Sequence, residues 1–151
     1  MSTPSTKDIL YVTIQFLLFL AYAWTPSWLP LHLPWWAENL GLALAITGLC
    51  TCALALLQLN TSLSPFPTPV ANGQLITSGV YALARHPIYA GILLMAFGYG
   101  AYSGSGYRLV IGVSLLLLFN FKAAYEEELL QRQYPAYEKY KSEVGRFSPY
   151  L

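Results

Sequence analysis

Residues 40–59 run for twenty positions without a single charge. Wound as an α-helix this segment is about 30 Å long, the thickness of a bilayer's hydrocarbon core. Three further apolar segments accompany it. Residues 9–24 are fewer but lead into Trp24, Trp28, Trp35 and Trp36, rings that favour the headgroup level. Residues 88–102 and 109–121 each fall short of the usual span of about 17–25 residues. Ser103-Gly104-Ser105-Gly106 separates them as a flexible turn, so they read as a tight helical hairpin. Tyr107 and Lys122 can lengthen that hairpin by sitting or snorkelling at the interface. The expected fold is all-α, an integral membrane protein of about four transmembrane helices over 9–25, 40–59, 88–102 and 107–124. One domain is expected, covering 1–151.

Charge is sparse and unevenly placed. Hydrophobic residues make up 56% of the chain and charged residues 10%, against about 25% charged in soluble domains. Ten of the fifteen charged residues fall at or after Lys122. With four spans, residues 1–8, the 60–87 loop and the tail from Lys122 share one side. Lys7, Arg85, Lys122, Arg132, Lys139, Lys141 and Arg146 lie there, and Arg108 alone lies opposite. The positive-inside bias therefore predicts both termini, and any site built from these segments, in the cytoplasm. Residues 9–24 lack a basic leader and a small-residue cleavage site, and are expected to stay as a span. A net charge of +1 without a basic face argues against a nucleic-acid partner. Cys50 and Cys52, two apart on a helix, point to different faces and read as packing residues; no metal-ligand spacing is present.

Between the spans, residues 24–36 form a connection rich in proline and tryptophan, with His32 alone among leucines as a surface residue. The 60–87 loop carries Ser64-Pro65-Phe66-Pro67-Thr68-Pro69, a stiff extended segment suited either to lining a cleft or to linking, and an Asn72-Gly73 turn. Beyond Lys122 the helical pattern continues to about Gln133, where Pro135 breaks it. A short cytoplasmic amphipathic helix from Pro135 would bury Tyr137, Tyr140 and Val144 and expose Glu138, Lys139 and Glu143.

Two polar clusters stand at the ends of apolar runs. Arg85 and His86 precede Pro87, which suits the first turn of a helix because its missing N–H has no partner there. Free N–H groups at that terminus favour a carboxylate or phosphate. Tyr89 lies half a turn inside, and Gly91 permits close approach of another helix or a ligand. The second cluster is Lys122 with Glu126, Glu127 and Glu128. Lys122 and Glu126 are four apart and can face each other. One acid can point inward while the others are solvated. Each cluster alone is compatible with a topology anchor or a solvated face, so a functional site requires that the two meet.

The stretch LITSGVYALARHPIYAG at 75–91 resembles the L-V-T-S-G-x-Y-x-x-x-R-H-P-x-Y-x-G signature of the isoprenylcysteine carboxyl methyltransferase family, among the wider phospholipid methyltransferase-like membrane enzymes. The tail is similar to that family's second motif through Glu126-Glu127-x-x-Leu130-x-x-x-Tyr134 and the closing Arg146-Phe147-Ser148-Pro149. The resemblance covers roughly 64–151 and implies S-adenosyl-L-methionine as methyl donor. It implies cofactor-binding roles for Arg85, His86, Pro87, Tyr89, Gly91, Glu126 and Glu127. Arg85 would pair with the methionyl carboxylate, and Glu127 would hold the adenosyl or amino-acid portion. Lys122 and Glu127 would act catalytically. Lys122 stands where the eukaryotic enzymes carry an arginine near the acceptor carboxylate, keeping the charge but losing the two-pronged match. The implied acceptor is lipidic or prenylated, most simply the carboxylate of a prenylcysteine-like molecule, with a phospholipid amine or a phenol left open. Two other classes stay in view: an NADPH-dependent lipid reductase of similar carboxy-terminal fold, and a non-enzymatic membrane scaffold. Neither metal nor nucleic acid is expected as a partner.

Overall fold

The computed structural model describes residues 4–24, 26, 28–59, 64–69 and 73–149. The start of the loop at Asn60 and Asn72 of the expected turn lie outside the described residues. Four long helices and a short fifth make up the chain: α1 (Thr6–Ala23), α2 (Trp35–Leu59), α3 (Pro87–Tyr102), α4 (Gly106–Gln133) and α5 (Tyr137–Glu143). Among the described residues a 3₁₀ turn, Gly79–Ala82, precedes α3. The architecture is that of an all-helical integral membrane protein. α1, α2 and α4 are each long and apolar enough to cross a bilayer, while α3, at 16 residues, is shorter.

Burial in these helices is inverted relative to a soluble bundle. Leu10, Phe16, Leu17 and Leu20 of α1 face outward, and the buried residue of that helix is Asp8. Asp8 is also its third residue. Ser5 Oγ accepts from the Asp8 N–H at 3.2 Å and the Ser5 N–H donates to Asp8 Oδ2 at 2.8 Å, a reciprocal cap that fixes where α1 begins. α2 starts earlier than the apolar run suggests. The Pro34 carbonyl accepts from the Ala37 and Glu38 N–H groups, so Trp35 and Trp36 form the first turn of the helix.

α2 and α3 approach each other backbone to backbone. Gly41 and Gly48 on one helix meet Gly98 and Gly91 on the other, each pair seven residues apart. A Cβ at Gly48 would lie 2.5 Å from the Gly91 carbonyl oxygen, and one at Gly98 would lie 2.5 Å from that of Gly41. Lipid provides no hydrophobic drive for helix pairing, so close backbone approach between small residues has to supply it. Cys52 packs against Gly91 as expected of a packing residue, whereas Cys50 on another face is exposed and does not; both are free thiols. Leu93 and Ala96 of α3 pack with Leu115 and Phe119 of α4 as a small core.

α4 determines where the chemistry sits. Its 28 residues extend about 42 Å, more than the roughly 30 Å hydrocarbon core needs, so one end must stand in the interface. Glu126 and Glu127 ride on that extension. α5 begins at Tyr137 rather than Pro135, because Pro135 and Ala136 form the turn ahead of it. As the spacing predicts, Tyr137 and Tyr140 are buried and Glu138 and Lys139 exposed. The Lys139–Glu143 pair, at 3.9 Å and largely in solvent, contributes little to stability.

Candidate functional site

The start of α3 is built from both sequence clusters. Pro87 opens the helix and His86 is its N-cap, though the imidazole makes no capping bond. Upstream, Gly79 has φ +62, and a Cβ there would run into the Gln58 side chain, so the turn leading to Arg85 requires glycine. The carboxy-terminal tail then closes over this segment through the backbone. The Arg85 N–H donates to the Gly145 carbonyl at 2.9 Å and the His86 N–H to the Arg146 carbonyl at 3.0 Å. Side chains reinforce the closure. Arg85 Nη1 donates to the carbonyls of Lys141 and Val144, and Tyr140 donates its hydroxyl to the Tyr81 carbonyl. Burial pushes the Tyr140 hydroxyl up to about 12, against the pull of Arg85, so it remains a donor at neutral pH.

Glu127 is the hub of the cluster. Only 1% exposed, its carboxylate meets Arg85 Nη2 at 3.0 Å, Arg146 Nε at 2.9 Å and Lys141 Nζ at 3.3 Å. Arg146 adds a second contact, Nη2 to Oε2 at 3.2 Å. His86 Nε2 lies 3.3 Å from Oε1 without hydrogen-bond geometry. Arg85, Lys141 and Arg146 together with Glu126 and Glu127 leave one positive charge in excess at this end of the cavity. An anionic ligand group complements that excess.

Beside the hub lies a cavity of about 340 Å³, within the usual range of small-molecule sites. One wall is aromatic. Tyr89 is stacked between His86, with ring centroids 5.3 Å apart, and Phe119 at 4.6 Å. The Tyr89 hydroxyl donates to Glu126 Oε2 at 2.9 Å, joining the two sequence motifs within a single hydrogen bond. Glu126 keeps 26% of its side chain exposed at the cavity. The opposite wall is the proline segment 64–69. Buried Lys122 holds it, donating to the Pro65 carbonyl at 3.1 Å and to Gln15 Oε1 at 2.7 Å, rather than pairing with Glu126 as the four-residue spacing allowed. Thr68 donates its hydroxyl to the fully buried Asp8.

Arg85, His86, Pro87, Tyr89, Lys122 and Glu126 thus line one cavity. Glu127 sits behind that lining, and Gly91 faces Gly48 and Cys52 of α2, so the close approach it permits is by a helix. Sequence reasoning missed Gln15, Asp8, Lys141 and Arg146 as parts of the network. The signal for Asp8 was present as the Ser5-x-x-Asp8 cap; an isolated glutamine in an apolar span was the signal for Gln15.

Replacing Lys122 with methionine would remove the donor from Gln15 and from the Pro65 carbonyl. The expected cost is about 1–3 kcal/mol, read by thermal unfolding in detergent, with faster protease cleavage of the proline segment. Unchanged cleavage would mean that Lys122 does not anchor that wall.

A family model described as phospholipid methyltransferase matches residues 36–137, a range holding both motifs of the cavity. The chain belongs to the phospholipid methyltransferase family. Among curated relatives of this family member, the cobalt-zinc-cadmium resistance protein CzcN of Cupriavidus metallidurans is 31% identical over 137 residues. That alignment covers 89% of this chain and 57% of CzcN. The nickel-cobalt-cadmium resistance protein NccN of Alcaligenes xylosoxydans xylosoxydans is 26% identical over 113 residues, covering 74% of this chain and 48% of NccN. The chain therefore spans about half the length of the curated relatives it matches. Among solved structures, the eukaryotic intramembrane Ras methyltransferase ICMT (isoprenylcysteine carboxyl methyltransferase) superposes with a TM-score of 0.67 at 19% identity. The match covers 99% of this chain and 55% of that one. The fold is thus shared with the enzyme family whose signature residues 75–91 resemble.

Proposed function

We propose that this protein is an S-adenosyl-L-methionine-dependent methyltransferase acting on a lipidic acceptor, with its cavity at the cytoplasmic face of the membrane. The Tyr89–Glu126 hydrogen bond carries this reading, because it brings the RHP-x-Y segment and the double-glutamate helix to one cavity wall. Family membership supports it, and the location of seven of the eight Lys/Arg on one side supports the orientation.

The residues present fit the cofactor's chemistry. It is zwitterionic with an added sulfonium, and the cavity end carries an excess positive charge for a carboxylate. Glu126 offers a carboxylate to a cation, and His86 and Tyr89, both lining the cavity, offer aromatic contact to a purine. Bound there, the cofactor would supply an electrophilic methyl group. Glu127 would act as a positioning residue, since its oxygens face the chain's own cations and set the angle of Arg85. The proline segment would keep water from the reacting centre, and Lys122, on that wall, would stabilise an anionic acceptor by proximity.

The preferred acceptor is the carboxylate of a prenylcysteine-like lipid, already ionised and in need only of desolvation and alignment. A phospholipid amine is the second reading, favoured by the family match and by lysine at position 122. That acceptor would need a base, and His86 and Glu126 stand closest to that role.

Titration of purified protein with S-adenosylhomocysteine and, separately, NADPH tests the class of cofactor. S-adenosylhomocysteine at a hundredfold excess over its Kd is expected to add about 2.7 kcal/mol of stability, with no shift from NADPH. His86→Ala should weaken that binding roughly tenfold by removing one of those aromatic contacts. Stabilisation by NADPH alone would favour the reductase class, and indifference to both would favour a scaffold. Tritiated methyl transfer to prenylcysteine analogues or to phosphatidylethanolamine then separates the two acceptors.

A further inference from the structure

A second cavity, of about 460 Å³, begins beside the first, sharing Ile92 with it, and runs toward the other end of the helices. Its walls are almost wholly apolar: Phe19 and Tyr22 of α1, Ile46 and Leu49 of α2, Met95 and Tyr99 of α3. Ile46, Leu49 and Tyr99 are exposed on the outer surface of the bundle, so the cavity is a groove facing the bilayer rather than a sealed void. A groove of this kind in the hydrocarbon region stays dry, and a lipid chain is its natural filling.

One charged group stands beside it. The Arg108 guanidinium lies 4.8 Å from the Tyr99 ring and 5.8 Å from the Tyr22 ring, two residues that line the groove. Its Nε is buried without a hydrogen-bond partner, and among the described residues no carboxylate pairs with it. Arg108 is also the only Lys or Arg of the chain on that side of the membrane. Tyr99 lies seven residues beyond Ile92 on α3, about 10 Å further from the cofactor cavity. Two aromatic rings lie against the guanidinium, the residue as a whole is half-buried, and a guanidinium can bind a phosphate through two prongs.

We infer that this groove binds one anionic phospholipid of the leaflet opposite the cofactor cavity. An acyl chain lies between α1, α2 and α3, and the phosphate rests on Arg108. The lipid fills the space α1 leaves against α3, and it makes the bundle sensitive to headgroup charge at the end of α3 opposite Pro87.

Native mass spectrometry of the detergent-purified protein, with equal amounts of phosphatidylglycerol and phosphatidylcholine of identical chains, tests this. One phosphatidylglycerol should be retained with a preference of about fivefold, the factor expected from one cation near an anionic headgroup. Arg108→Gln should abolish the preference, Arg108→Lys should keep part of it, and Arg132→Gln, at the other end of α4, should leave it intact. sn-Glycero-3-phosphoglycerol, which has the phosphodiester headgroup and its charge but no chain, should not be retained. Equal retention of both lipids by the unaltered protein would overturn the inference, as would an undiminished preference in Arg108→Gln. Retention of the chainless phosphate would remove the groove from the account. The comparison of headgroups on the unaltered protein decides the matter even if the glutamine variant does not fold.

Discussion

Replacing Glu127 with alanine is expected to destabilise the protein by about 3–5 kcal/mol and to abolish S-adenosylhomocysteine binding. The physical reason is that a buried carboxylate now balances Arg85, Arg146 and Lys141, and its loss leaves these cations near one another with nothing between them. Arg85, 8% exposed, bears most of that cost. Arg146 and Lys141 can partly swing into water, so the tail should detach from the start of α3 before the helices separate. Urea unfolding in detergent measures the stability, and hydrogen exchange at the Arg85 and His86 amides measures the detachment. Glu127→Gln, which keeps the shape and one acceptor, should lose less. An alanine variant that kept both its stability and its amide protection would show that the four-membered ionic cluster does not hold the tail.

Gly48→Leu should be as damaging for a different cause. The first carbon of any side chain at Gly48 would already meet the Gly91 carbonyl at 2.5 Å and the Met95 nitrogen at 2.8 Å. Both neighbours are backbone in a regular helix and cannot rotate away, so α2 and α3 must move apart along their whole contact. Overpacking in ordinary cores costs about 1–3 kcal/mol and occasionally more. Backbone against backbone belongs at the upper end or beyond it. Leu57→Val is the matched control, since Leu57 is 77% exposed on the lipid side of the same helix. A cysteine pair engineered across the two helices should cross-link readily in the native background and fail to do so with leucine at position 48. Equal cross-linking in both would mean that the helices do not depend on this contact.

Much of the fold was legible in the sequence because a bilayer imposes its own ruler. A run of twenty uncharged residues, a Ser-Gly hairpin turn and a proline at the head of a helix each had a single sensible placement. Where the reading slipped, tertiary detail had taken over. Trp35 and Trp36 looked like part of a connection, yet the Pro34 carbonyl starts α2 ahead of its apolar run. Gly91 allowed either a ligand or a helix as its neighbour, and periodicity could not choose between them; Gly48 takes the place.

The cavity was legible in part, for a related reason. Arg85, His86, Tyr89 and Glu126 were carried by motifs whose spacing survives without coordinates. Lys122 was visible as a charge, but its partners Gln15 and Pro65 lie far away in sequence, so the four-residue rule pointed it at Glu126 instead. The same distance hid Lys141, which read as an ordinary tail cation, and the contact that Arg146 of the closing motif makes with Glu127.

The two backbone bonds from residues 85 and 86 to residues 145 and 146 have a consequence for biosynthesis. All four long helices are translated before those tail residues emerge from the ribosome. A nascent chain arrested just after Gln133 would hold every span and every motif residue on α3 and α4, yet lack the strap that completes the pocket. Insertion into the membrane and completion of the pocket are thus separate events in this protein's life, with a measurable interval between them.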